Sequence, residues 1–270
     1  MMRNDEDRRS LTWVALIVVT VATYIFLLAP IVIVLVQAFN GSELMSFPPQ
    51  ELSLRWFYAF FADTQFTTAL WFSLKLGLIA AAISTVLGTM AGIALAHAGS
   101  GGAFLQTLLL SPLYVPRVLV GLALLLAFAW LNVSGSLGGM IAAHVLITMP
   151  YATRTVMVGM RAVSASVQEA ARVLGATRLQ TFWLVTFPII RASLLSGFVF
   201  ALIISFSDIY LALFISGPNS ITLPMRLFTF MEWDQSPLVA AASAIQILII
   251  LFVILVTGRL FGLSSSRRGS

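Results

Sequence analysis

The chain has 270 residues, 60% of them hydrophobic and only 9% charged, with a mean hydropathy of +1.01. Soluble domains carry roughly a quarter of their residues as charges, so this composition excludes an ordinary water-solvated globule and indicates a chain solvated by lipid. The formal net charge of +5 reads as membrane topology rather than as a nucleic-acid surface. The lack of cysteine excludes disulfides, thiol catalysis and thiolate metal sites.

In chain order, residues 1–10 form a charged tail, and an apolar run follows from Leu11 to about Phe39. That run exceeds a signal-peptide core and lacks an obvious cleavage site, so an uncleaved first membrane helix is predicted. A bilayer core takes about 20 apolar residues per helix. Six spans are predicted, near 11–38, 67–97, 103–131, 137–160, 192–216 and 237–262. The segment from His97 to Gly102 separates the second span from the third, and Leu131 to Ser136 forms the next turn. Ser84, Gly88 and Gly92 repeat at four-residue spacing, which suits close helix approach either inside the subunit or at a seam between subunits. The expected organisation is a tail (1–10), a first span with an outer loop (11–66), a five-span core (67–262) and a second tail (263–270).

Arginine placement sets the orientation. With a cytoplasmic N-terminus, inner segments carry Arg3, Arg8 and Arg9, then Arg154, Arg161, Arg172, Arg178 and Arg191, and finally Arg259, Arg267 and Arg268. The outer loops, 39–66 and 217–236, carry Arg55 and Arg226 with Glu43, Glu51, Asp63, Glu232 and Asp234. By the positive-inside rule both termini and the polar insert 161–191 face the cytoplasm.

Within that insert Ser166-Val167-Gln168-Glu169 has capping-box spacing, predicting a helix from Val167 to about Leu174. Gly175 suits a left-handed terminus. Thr177 is placed to cap a second helix from Arg178 toward Phe187, with Pro188 ending it before the fifth span. Ala170 and Ala171 leave a flat patch for another protein. Taken locally, this also describes an ordinary amphipathic connector. Glu169-Ala170-Ala171, then Gly175, Val185, Phe187 and Pro188 at their spacing, resemble the EAA loop of binding-protein-dependent ABC transporter permeases.

The resemblance implies an all-α membrane protein of six transmembrane helices with the type I importer permease fold. Its cytoplasmic loop would dock as a coupling helix into a groove of an ATPase, with Glu169, Ala170, Ala171, Arg172, Gly175 and Pro188 as the coupling residues. Glu169 is expected to orient that helix through its cap. The implied partners are a second homologous permease, by family analogy a different one, two ATPase subunits and a periplasmic binding protein, in a bacterial inner membrane. The one lysine, Lys75, is followed by Leu76, so there is no phosphate-binding Gly-Lys-Ser/Thr and a separate chain must bind ATP. No cofactor, no covalent chemistry and no nucleic acid are expected.

Lys75, Arg117 and Asp208 are ionisable residues within predicted spans or at their edges. Lys75 lies close enough to the outer end of its helix to snorkel. Arg117 follows Pro112 and Pro116 in an interrupted helix, which suits either a pathway wall or a structural pair with Asp208. Tyr114, Arg117, Ser207, Asp208 and Tyr210 are the candidate wall residues. The region from Ser205 to Pro224 is similar to that of spermidine/putrescine-type permeases, in which an acid often stands at the positions of Ser207 and Arg117. The less negative pathway predicts a small polar solute, polyamine-like, amino-acid-derived, an opine or a phosphonate, with a polyamine itself disfavoured because Arg117 would repel a polycation. An ion-coupled secondary transporter would contain repeats and more intramembrane charges. An intramembrane enzyme would need a catalytic set, and neither HExxH nor paired acids within the predicted spans occur.

Overall fold

The computed structural model describes residues 3–234 and 236–262; the tail 263–270, with Arg267 and Arg268, lies outside them. The described residues form helices α1 (Arg3–Gln37), α2 (Arg55–Ala62), α3 (Thr64–His97), α4 (Ala103–Leu110), α5 (Arg117–Leu131), α6 (Leu137–Met160), α7 (Ala165–Val173), α8 (Arg178–Thr181), α9 (Phe187–Phe206), α10 (Tyr210–Ile215), α11 (Leu223–Met231) and α12 (Leu238–Gly262). Five stretches are long and apolar enough to cross a membrane, and a sixth span forms if the bent pair α4–α5 counts as one.

Contacts divide the chain into two units. One holds residues up to Asp63 together with Phe230–Leu248; the other holds Thr64–Thr229 and the chain from Ile249. In the first unit, small side chains permit a thin core: Ala38, Ala240, Ala241 and Ala244 pack with Val34, Leu35, Trp56 and Phe57. Buried Asn40 ties the end of α1 to the loop that follows it, since its carbonyl oxygen accepts from the Ser42 amide at 3.0 Å and its amide donates to Gln37 Oε1 at 3.0 Å. Arg55 closes the same loop, donating to the Gly41 carbonyl at 3.0 Å and pairing with Glu43 at 3.3 Å.

The second unit is built on α3, α6 and α9, and small residues set their spacing. A Cβ on Gly88 would stand 2.7 Å from Ala152 Cβ and 2.8 Å from the Thr153 nitrogen, and one on Gly92 would stand 2.9 Å from the Thr153 carbonyl oxygen. Ser84 and Thr148 share a buried hydrogen bond of 2.7 Å across the same seam. The Ser84–Gly88–Gly92 stripe is thus used inside the subunit, the first of the two readings open from sequence. Gly197 on α9 comes equally close to α6: its Cβ would lie 3.1 Å from Ala152 Cα. Backbone approach of this kind replaces the large apolar side chains of a water-soluble core, because lipid offers no hydrophobic gain for burying them.

Two spans are broken. Pro112 and Pro116 interrupt the third, and its halves meet at a bend of 97°. Pro116 is the N-cap of α5, where a missing N–H costs no hydrogen bond. The fifth span differs from its predicted bounds of 192–216. The helix begins at Arg178 and runs through Phe206, and Pro188 does not end it. Phe182–Thr186 form a π turn in which the Phe187 N–H donates to the Phe182 carbonyl. The wider turn makes room for the proline ring without breaking the rod. The break falls instead at Ser207–Ile209, before the short α10. Asn132, left-handed at φ 55°, ends α5, and the Ser136 hydroxyl caps α6 by accepting from the Gly139 N–H at 3.0 Å.

Candidate functional site: a polar loop and an intramembrane ion pair

The loop between α6 and α9 forms a helix, a tight turn and a second helix. Its first helix starts two residues before the predicted one, with Ser164 as N-cap in extended conformation and without a side-chain cap bond. The Ser164 and Ser166 hydroxyls bond each other instead, at 2.6 Å. This overturns the predicted capping box: an N-cap at Ser164 moves Glu169 beyond the first turn, too far along to reach back to the cap. Glu169 has no hydrogen bond or ion pair among the described residues and is exposed. It therefore presents its carboxylate outward rather than organising the helix.

The rest of the loop follows its sequence closely. Gly175 adopts φ +90°, and the Gly175 and Ala176 amides donate back to the Arg172 and Ala171 carbonyls at 2.9 and 3.0 Å. Thr177 forms the capping box that Ser166 does not: its hydroxyl accepts from the Gln180 N–H, while Gln180 Oε1 accepts from the Thr177 N–H at 2.8 Å. Gln168, unremarked in the sequence, donates its side-chain amide to the buried Thr186 hydroxyl at 3.0 Å, fastening α7 to the π turn that leads into α9. Val173 and Leu174 are 86% and 87% exposed, and Leu179 and Leu184 also stand out. Sequence reading singled out the small Ala170 and Ala171, yet the larger apolar surface is the rim beside them. Hydropathy alone cannot separate an apolar residue facing lipid from one raised on a polar loop.

At the two broken spans, Arg117 Nη1 donates to Asp208 Oδ2 at 3.0 Å. The Asp208 side chain is fully buried, while that of Arg117 remains about a third exposed at 32%. Asp208 Oδ1 accepts from the Leu211 N–H at 2.8 Å and so satisfies the start of α10. Arg117 Nη2 reaches the Tyr151 hydroxyl at 3.4 Å on α6, one residue after Pro150. One carboxylate thus joins both breaks. Gly121 lets α5 and α10 meet closely there, as its Cβ would lie 3.1 Å from the Tyr210 carbonyl oxygen. Behind the pair, the fully buried His144 bonds Ser205 through Nδ1 at 2.8 Å, joining α6 to α9.

Of the five candidate wall residues, the structure brings Arg117 and Asp208 together. Tyr114, Ser207 and Tyr210 are exposed and lie outside that hydrogen-bonded group. Tyr151, which sequence reasoning missed, belongs to it. Its position just after a helix-interior proline was the available signal.

The family model for the inner membrane component of binding-protein-dependent transport systems matches residues 84–269. The chain is 32% identical over 242 residues to the putrescine transport system permease protein PotI of Escherichia coli (strain K12), covering 85% of this chain and 84% of that one. It is 23% identical over 235 residues to the spermidine/putrescine transport system permease protein PotC of the same strain, covering 87% and 89%. Its fold matches a chain of a bacterial alginate ABC transporter, solved in complex with an alginate pentasaccharide-bound periplasmic protein, with a TM-score of 0.73 at 17% identity over 98% of this chain and 96% of that one. A helical chain with five to six candidate membrane spans and these similarities belongs to the family of binding-protein-dependent transport system inner membrane components and is a transmembrane permease subunit of an ABC importer.

Proposed function

We propose that this permease lies with both termini in the cytoplasm, pairs with a second homologous permease in an assembly with two ATPase copies, and docks one of those copies through α7 and the turn at Gly175. The observation that carries this is the exposed apolar rim of Val173 and Leu174 on an otherwise polar, basic loop. An apolar patch held out from the membrane face gains by burial in a partner's groove. When the ATPases close, α7 moves with them. The Gln168–Thr186 bond passes that displacement to the π turn, and α9 carries it along its 20 residues to the break at Asp208. The Arg117–Asp208 pair then transmits it to α5 and α10. A periplasmic binding protein would supply solute to the opened outer side. Arg117, Asp208, Tyr114, Ser207 and Tyr210 are the proposed pathway residues, with Arg117 and Asp208 acting as a pair.

The proposed solute is small and polar. The expectation that Arg117 repels a polycation loses its premise, because a carboxylate at 3.0 Å neutralises it. A diamine of the kind named for the putrescine relative is therefore the first solute to test, with amino-acid derivatives, opines and phosphonates after it. The docking claim is tested by purifying tagged wild-type chain and Glu169→Lys or Leu174→Asp variants with their companions. Both variants should retain the second permease, lose most of the ATPase and lose uptake. Wild-type ATPase content with normal uptake would count against the assignment.

A further inference from the structure

A second polar feature stands apart from both sites. At the outer end of α3, beside the segment that joins α10 to α11, a cavity of about 480 Å³ is lined by Thr64, Gln65, Thr68, Asn219 and Arg226, with Phe72 at its apolar side. Thr64, Gln65, Thr68 and Asn219 are exposed, so its mouth is polar. Arg226 donates from Nη2 to Gln65 Oε1, and its guanidinium carbon lies 5.4 Å from the centroid of Phe66. These contacts hold the guanidinium in place before anything binds. Its Nε is buried without a hydrogen-bond partner. No carboxylate lines the cavity. Arg55, the other outer-loop arginine, is matched by Glu43 at 3.3 Å, whereas Arg226 has no ion-pair partner among the described residues.

We infer that the Arg226 cavity receives a carboxylate side chain from the periplasmic protein that delivers the solute. The inference rests on the outward orientation and the delivering partner proposed above. A guanidinium held in place, with amide and hydroxyl groups around it and no acid among the cavity's lining residues, selects a carboxylate by charge. A volume of about 480 Å³ is far larger than a carboxylate and accepts a side chain together with the loop tip that bears it. A cationic solute would be repelled by Arg226. A protein that holds a cation must itself present acids near its binding cleft, so its docking face is the complementary partner.

The test uses the purified complex in nanodiscs and the periplasmic protein recovered with it, with the dissociation constant measured at several salt concentrations. Arg226→Gln should raise that constant about tenfold and flatten its salt dependence. With the same complex in proteoliposomes, uptake should return to the wild-type rate at saturating delivering protein. Thr68→Phe, which fills the cavity and leaves Arg226 in place, should weaken docking similarly. Arg226→Glu should be rescued by an acid-to-lysine change on the docking face of the delivering protein. An unchanged dissociation constant in both Arg226→Gln and Thr68→Phe, at wild-type complex yield, would overturn the assignment. Unchanged docking with a raised KM for solute would also overturn it, and would give the cavity to a carboxylate of the solute. If the periplasmic protein fails to stimulate ATP hydrolysis by the wild-type complex, it is the delivering-partner reading that falls.

Discussion

Asp208 satisfies two demands at once: its Oδ1 caps α10 and its Oδ2 neutralises Arg117. These roles separate by substitution. Asp208→Asn keeps an oxygen for the Leu211 N–H but removes the charge, leaving Arg117 without its counter-ion. Breaking one side of a buried pair is costly because the remaining charge is uncompensated, about 3–5 kcal/mol in water-soluble proteins. Arg117 is a third exposed, which reduces that cost here. Asp208→Asn and Arg117→Gln should each lower the thermal midpoint of the purified complex. The double variant should lose less than the sum, with a coupling of about 1–3 kcal/mol. Strict additivity would mean that the pair does not act as a unit.

At the scale of elements, packing of α3 on α6 depends on missing side chains. The Cβ of Gly88→Ala would approach backbone and Ala152 to within 2.8 Å, and no flexible side chain there can yield. The helices must separate, at about 1–3 kcal/mol. Gly88→Ala should reduce the yield of monodisperse protein, and Gly88→Leu should abolish it. The loop that carries α7 and α8 depends on a different device. Thr177→Ala removes one half of a capping box, at about 1 kcal/mol. It should speed amide exchange over residues 177–181 and leave the span beyond Phe187 protected. Loss of protection through α9 would show that the cap holds the whole rod.

For the whole molecule, orientation is the quantity to measure, and the lack of cysteine makes the measurement clean. Asn219→Cys should react with a membrane-impermeant maleimide on intact spheroplasts. Ala176→Cys should react only after permeabilisation. The opposite pattern would invert the proposed topology and with it the roles of both loops.

Most of the spans and their approximate limits are legible in residue order, because hydrocarbon thickness imposes a length that composition must meet; the fifth span, Arg178–Phe206, is the exception. Leu137–Met160 matches its predicted limits, and the turn at Gly175 and the cap at Thr177 follow from local backbone demands. Tertiary structure decided the rest. Proline at position 188 reads as a terminator until a π turn is seen to absorb it. A serine at position 166 reads as an N-cap until the helix is seen to begin at Ala165. Two prolines before Arg117 signal a break but not its 97° bend, nor that Asp208, 91 residues away, stands opposite. Each depends on which groups from distant segments meet, and residue order along one segment does not carry that information. The apolar content of the chain fixed that it enters the membrane, whereas backbone approach and one shared carboxylate fixed how its broken spans are held.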